Sequence, residues 1–126
     1  MKLYEVKTKG DIKEFHRVVS VIYKNDPNWV AYLENDIEKV FNNKHNKLYA
    51  EGGESIRWIL KDDNDQLIGR VAAFVNPRTK NTTPLATGGV GFFECINDKS
   101  AAFYLFDSCQ KWLEERGMQA MDGPSG

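Results

Sequence analysis

Cysteine, histidine and proline are all scarce in this chain: two, two and four among 126 residues. Two cysteines without a Cys-x-x-Cys pair exclude a disulfide framework and a zinc ribbon, and two scattered histidines give no metal-ligand spacing, so no metal is expected. An excess of either charge is missing as well. Seventeen basic residues against eighteen acidic ones leave −1. No basic field exists to hold a nucleic-acid backbone, and nucleic acid is set aside as a partner. The longest apolar run, Ala101–Phe106, is far too short to span a bilayer, and the opening Met1-Lys2-Leu3-Tyr4-Glu5-Val6 has no apolar signal core. Neither a membrane nor export is expected, and a reducing cytoplasm is the expected location. Repeats and low-complexity tracts are absent too. What is present, 41% hydrophobic and 28% charged residues, suits a globular chain, and the length holds one domain, 1–126, around one core.

Residues 2–7 read as a first strand with Tyr4 and Val6 on one face. Asp11 reads as the N-cap of a helix and Glu14 as the far half of a capping box. Ile12, Phe15, Val18, Val19, Ile22 and Tyr23 then form one apolar stripe. Asn25-Asp26-Pro27-Asn28 stops that helix. Trp29–Leu33 is a helical turn or an extended arm, and a second helix over 34–42 carries Ile37, Val40 and Phe41. Residues 43–55 are loop. Ile56, Trp58 and Leu60 alternate with Arg57 and Lys61, a strand with one wet face. Asp62–Asp65 is a turn, and Leu67–Val75 is a more central strand paired with it as an antiparallel hairpin. Residues 76–88, with Pro77, Arg78 and Lys80, form a long loop of the kind that borders binding sites. Strand four, Gly89–Ile96, carries glycines that suggest a bulge or a close backbone approach. Asn97-Asp98-Lys99-Ser100 opens a helix with Ala102, Leu105, Phe106, Cys109, Trp112 and Leu113 on one stripe and Gly117 as its stop. Residues 118–122 are a short fifth strand. The order is β-α-α-β-β-β-α-β.

Several strings carry a resemblance: Asp26-Pro27-Asn28-Trp29-Val30, Ile68-Gly69-Arg70-Val71-Ala72-Ala73, Val90-Gly91-Phe92-Phe93-Glu94, Trp112-Leu113 before Gly117, and Asp122-Gly123-Pro124. With the element order, they resemble the first five strands of the GNAT superfamily of acetyl-CoA-dependent N-acetyltransferases, in a branch of long bacterial GNAT-like proteins. The resemblance implies an α/β fold: a mixed sheet, antiparallel for strands one to four and parallel for four and five, with helices on both faces. It implies acetyl-CoA or another acyl-CoA as donor, an amine as acceptor, and direct transfer without a covalent enzyme intermediate. A GNAT fold continues into another helix and two more strands, so this chain is expected to be a partial, N-terminal, acyl-CoA-binding piece. The family's phosphate turn, Gln/Arg-x-x-Gly-x-Gly/Ala, falls on Asn97-Asp98-Lys99-Ser100-Ala101-Ala102, where only Ala102 fits.

By this resemblance Glu94 is the candidate base that takes the acceptor's proton. The bland alternative is a carboxylate that faces solvent or pairs with Arg70 or Arg57. The backbone of Glu94, Cys95 and Ile96 is where a pantetheine arm would pair and a backbone N–H would polarise the thioester. Asn97, Lys99, Ser100, Ala101 and Ala102 would hold the pyrophosphate on free helix N–H groups, with Asp98 opposed and Lys99 offsetting it. Cys95 and Cys109 read as inert thiols, His16 as solvated, and Trp29, Trp58 and Trp112 as core or rim anchors. Arg70, charged in an apolar strand, calls for a carboxylate across the sheet. Strand five, with Met118, Ala120 and Met121 uncharged and Asp122 and Pro124 past its end, leaves an open edge. A homo-oligomer through the strand-four/strand-five edge is therefore expected. Two functions follow: a GNAT-type N-acyltransferase, or a non-catalytic GNAT-like binding or assembly module, which the degenerate turn favours.

Overall fold

A computed structural model describes residues 1–24, 34–42, 44–46, 49–76, 87–118 and 120–125, with the backbone alone for Thr87 and 120–125. The Trp29–Leu33 run and the loop with Pro77, Arg78 and Lys80 lie outside the described residues. The elements are β1 (Lys2–Glu5), α1 (Lys9–Ile22), α2 (Glu34–Phe41), β2 (Glu54–Lys61), β3 (Leu67–Val75), β4 (Thr87–Cys95), α3 (Lys99–Glu114) and β5 (Ala120–Ser125). One five-stranded sheet runs β1-β2-β3-β4-β5. Its first three pairings are antiparallel, and β4 pairs β5 in parallel. The α/β order and the mixed sheet are those expected.

Each face of the sheet has its own core. On one, Trp58, Leu60, Val71, Ala73, Val75 and Val90 meet Leu105, Cys109, Trp112 and Leu113 of α3. On the other, Ile59 and Leu67 meet Phe15 and Val18 of α1, with Ile37 and Phe41 of α2 packed against them. Trp58 and Trp112 are core anchors as expected. Gly88 is where α3 comes closest to the sheet, since a Cβ there would lie 2.4 Å from Leu113 Cδ2.

Four local expectations are corrected. Asp11 is not the N-cap of α1. Thr8 is, accepting from the Asp11 N–H at 3.0 Å, while the Asp11 carboxylate accepts from the Lys7 and Thr8 N–H groups, each at 3.0 Å. Thr-x-x-Asp closes the capping box with Asp in the place of Glu, so the helix starts at Lys9 and absorbs Gly10. Those N–H groups, Thr8's first and Lys7's next, hold the Asp11 carboxyl below its usual range. Second, β2 has no wet face over its middle: Arg57 is 8% exposed and Ile59 1%. Third, His16 is buried, at 5% exposure. One carboxylate explains both. Glu38 of α2 accepts from Arg57 Nη1 and Nη2 at 2.7 and 2.8 Å, and from His16 Nε2 at 2.6 Å. Paired and hydrogen-bonded, the charges tolerate burial, and the Arg57 guanidinium lies 4.1 Å from the Phe41 ring centroid. Fourth, strand five starts later. Met118 is buried and donates its N–H to the Leu113 carbonyl at 3.0 Å, finishing the helix turn. Ala120–Ser125 then pairs with β4, so Asp122 and Pro124 lie inside the strand. Proline there has no N–H to offer a neighbouring strand.

Candidate functional site

The site begins with an extra residue in β4. Arg70 pairs with Glu94 and Ala72 with Gly91, so two steps on β3 oppose three on β4. That is a β-bulge at Phe92–Phe93. Phe92 takes a φ of 56°, a left-handed conformation that costs a bulky residue about 1–2 kcal/mol. Neighbours hold it there. Its ring lies 5.5 Å from Phe41 and 6.2 Å from Phe74, and its carbonyl accepts from Arg70 Nε at 3.1 Å.

β4 runs parallel to β5 as far as the bulge, where Ser125, the last described residue of β5, pairs with Gly91. Their parallel register ends at Gly91, and Phe92–Cys95 lie beyond it. A groove of about 630 Å³ opens there, walled by Val21 and Ile22 of α1, by Phe93, Cys95 and Ile96, and by Asn97, Asp98, Lys99 and Ala102 at the start of α3. The Ile96 N–H donates to the Ile68 carbonyl at 3.0 Å, so it is not available to a ligand. Strand N–H groups alternate in direction, which turns the Cys95 N–H away from β3 and toward the open edge. Burial first, and then the charge of Asp98, pushes the Cys95 thiol up. It stays a neutral thiol lining the groove.

Glu94 sits at intermediate burial, and Tyr23 Oη donates to its Oε2 at 2.8 Å. Arg70 faces it across the β3–β4 pair and is 5% exposed. Burial lowers the Arg70 guanidinium to about 10, and the charge of Glu94 acts in the opposite sense. Arg70 also donates from Nη1 to the Phe15 carbonyl at 3.2 Å and lies 4.6 Å from the Phe15 ring centroid. Its hydrogen-bond partners are therefore the backbone carbonyls of Phe92 and Phe15, and Glu94 across the sheet acts on it through charge without an ion pair.

The turn into α3 differs most from expectation. Asp98 is the N-cap, and its Oδ1 accepts from the Ser100 N–H at 2.8 Å and the Ala101 N–H at 3.2 Å. The Asp98 N–H donates to the Ile96 carbonyl at 2.7 Å, and the Ala102 N–H to the Asp98 carbonyl at 3.1 Å. The N–H groups expected to be free are largely taken. Cys95, Ile96, Asn97, Lys99 and Ala102 do come together in the groove. Ser100 instead lines a second depression on the outer face of α3, with Phe103 and Lys111, and Ala101 is fully buried in the core. Val21, Ile22 and Tyr23 were not singled out from sequence as site residues. Their signal was the overhang of the α1 stripe past its contact with the sheet, ending in an aromatic with a polar tip.

No protein-family model matches the chain. Protein YghO of Escherichia coli strain K12 is 29% identical over 119 residues, which cover 92% of this chain and 29% of that protein. The chain thus spans less than a third of that relative's length. Among solved structures, the aminoglycoside acetyltransferase AAC(6')-Iy, bound to a CoA bisubstrate analogue, superposes with a TM-score of 0.61 at 12% identity, over 99% of this chain and 79% of that one. An acetyltransferase of the GNAT family from Staphylococcus aureus Mu50 gives 0.58 at 14% identity, over 93% of this chain and 68% of that one. The chain has the GNAT fold. Among the described residues no helix is long and apolar enough to cross a membrane, and no His, Cys, Asp and Glu cluster could hold a metal ion.

Proposed function

We propose that this chain is the acyl-CoA-binding part of a GNAT-type N-acyltransferase, moving an acyl group, acetyl in the first instance, from a thioester to an amine. The observation that supports the reading is the bulged end of β4, where Phe92–Cys95 run past the residues paired with β5 beside the groove and the Cys95 N–H turns away from β3. An extended arm laid there pairs with the strand, and that N–H polarises the thioester carbonyl. Glu94, oriented by Tyr23, accepts the amine proton directly or through one water. The C–N bond forms as the C–S bond breaks, and the thiolate leaves with the donor. A neutral Cys95 thiol suits direct transfer, because a thiol held above its usual range is a poor nucleophile. Two free cysteines suit a reducing cytoplasm. Copies associate through the strand-four/strand-five edge in this reading; a clean monomer in light scattering coupled to size exclusion would contradict that.

Calorimetric titration with acetyl-CoA tests the donor site. Weak, saturable binding to this chain, strengthened in the longer protein, supports the reading. No binding to either sinks it. The second reading, a non-catalytic GNAT-like module, has one observation in its favour: the carboxylate of Asp98 lies on the helix end where a pyrophosphate would sit. Acyl transfer from acetyl-CoA to any amine by the full-length protein excludes it.

A further inference from the structure

The groove and the turn beside it make opposite offers to a donor. The groove offers an open depression of about 630 Å³, apolar at Val21, Ile22, Phe93 and Ile96, with a strand edge on one side. It suits an extended, amide-bearing, uncharged arm. The turn offers almost nothing to an anion. Of the five N–H groups from Asp98 to Ala102, four donate inside the turn: Asp98 to Ile96, Ser100 and Ala101 to the Asp98 carboxylate, and Ala102 to the Asp98 carbonyl. Lys99 N–H alone has no partner among the described residues. A diphosphate needs several such donors converging on it, and a carboxylate already occupies the position where they converge. Lys99 brings one positive charge against the one negative charge of Asp98. The Asp98 charge also reaches into the groove, where after burial it is the second influence on the Cys95 thiol.

We propose that this donor site recognises the acyl-pantetheine arm and not the nucleotide diphosphate, and that Asp98 is the residue that sets this preference. The inference rests on the acyl-donor reading above and narrows it. The part of the donor that is read is the thioester and its pantetheine, so a donor cut back to acetyl-pantetheine keeps its affinity. In a turn with free N–H groups the diphosphate would add to binding. Here it must displace the Asp98 carboxylate from two N–H groups, or lie outside them near a like charge. Either way its contribution is close to nothing.

The test compares acetyl-CoA with acetyl-pantetheine by calorimetry, on the wild-type full-length protein and on two variants. Wild type should bind both with constants within about threefold, because hydrogen bonds exchanged one for one add little net affinity. Asp98→Gly frees the Ser100 and Ala101 N–H groups and removes the charge, and glycine is a tolerated N-cap. It should tighten acetyl-CoA by about tenfold or more, the scale of one charge-assisted hydrogen bond, and shift acetyl-pantetheine by much less. Asp98→Asn keeps a capping side chain without the charge, so it should tighten acetyl-CoA by less than the glycine variant does. That variant also guards against a glycine protein that folds poorly. If wild type prefers acetyl-CoA by more than about tenfold, or if Asp98→Gly weakens acetyl-CoA selectively, the inference is overturned while the donor reading stands. If neither ligand binds any of the three proteins, both fall together.

Discussion

The two faces of the sheet are built on different principles. The α3 face is apolar throughout, with Leu105, Cys109 and Leu113 fully buried against Val71, Ala73 and Val90. The α1–α2 face buries two arginines and a histidine, held by Glu38 and by backbone carbonyls under the rings of Phe15 and Phe41. Hydrophobic burial responds little to pH. An ion pair beneath aromatic rings depends on a protonation state at every moment. The face that carries Tyr23 and its bond to Glu94 is thus also the face whose packing depends on charge, and the α3 face serves as its rigid backing.

The comparison is strained hardest at Glu94. Glu94→Gln should lower turnover of the full-length protein by about 10²- to 10⁴-fold with acetyl-CoA affinity unchanged, read by steady-state kinetics beside calorimetry. An unchanged rate returns Glu94 to a purely structural partnership with Arg70 and Tyr23. On the apolar face the matching experiment is Leu105→Ala, which leaves a cavity and should cost about 2–5 kcal/mol in urea unfolding, independent of pH from 5 to 8. A smaller loss is expected for Glu38→Gln, about 1–3 kcal/mol, because Glu38 is partly open to water. Unlike the leucine variant, it should be rescued in part by adding Arg57→Met, which removes the stranded charge.

Acid sharpens the contrast further. Burial would raise the Glu38 carboxyl, but the hydrogen bonds and charge of Arg57, and then of His16, outweigh it and hold the group below its ordinary 4.5. A depressed carboxylate stabilises the fold above its unfolded-state value, and that contribution fades as pH falls through the folded-state value. Hydrogen exchange below pH 4.5 should therefore open α2 before α3. The smallest effect concerns thiols. Burial pushes Cys109 to about 12, so at pH 8 in native buffer it should resist alkylation, while the less buried Cys95 reacts slowly.

How much of this was legible in the sequence varied with the range of the interaction. β3 runs over Leu67–Val75, the bounds its continuous apolar character predicts. The buried state of His16 and Arg57 was not legible. Their shared partner Glu38 lies 22 and 19 residues away in another helix, and no local pattern records such a meeting. The glycines of strand four pointed to a bulge, and the bulge is there. The residue that takes the unusual φ is Phe92, because ring packing on the far face outweighs backbone preference. At Asp98 the conflict with an anion was visible in the residue type. Its resolution, a carboxylate folded back on its own helix, is a matter of rotamer and lies beyond any spacing rule.

The left-handed Phe92 works as a lever across the sheet. Its backbone turns β4 beside the groove, while its ring packs on the other side against Phe41 of α2 and Phe74. A ligand that shifted α2 would thus pull on the groove mouth through one side chain, and an arm entering the groove would push back on α2. The groove and α2 would then sense each other mechanically, with the strain of one backbone angle as the spring between them.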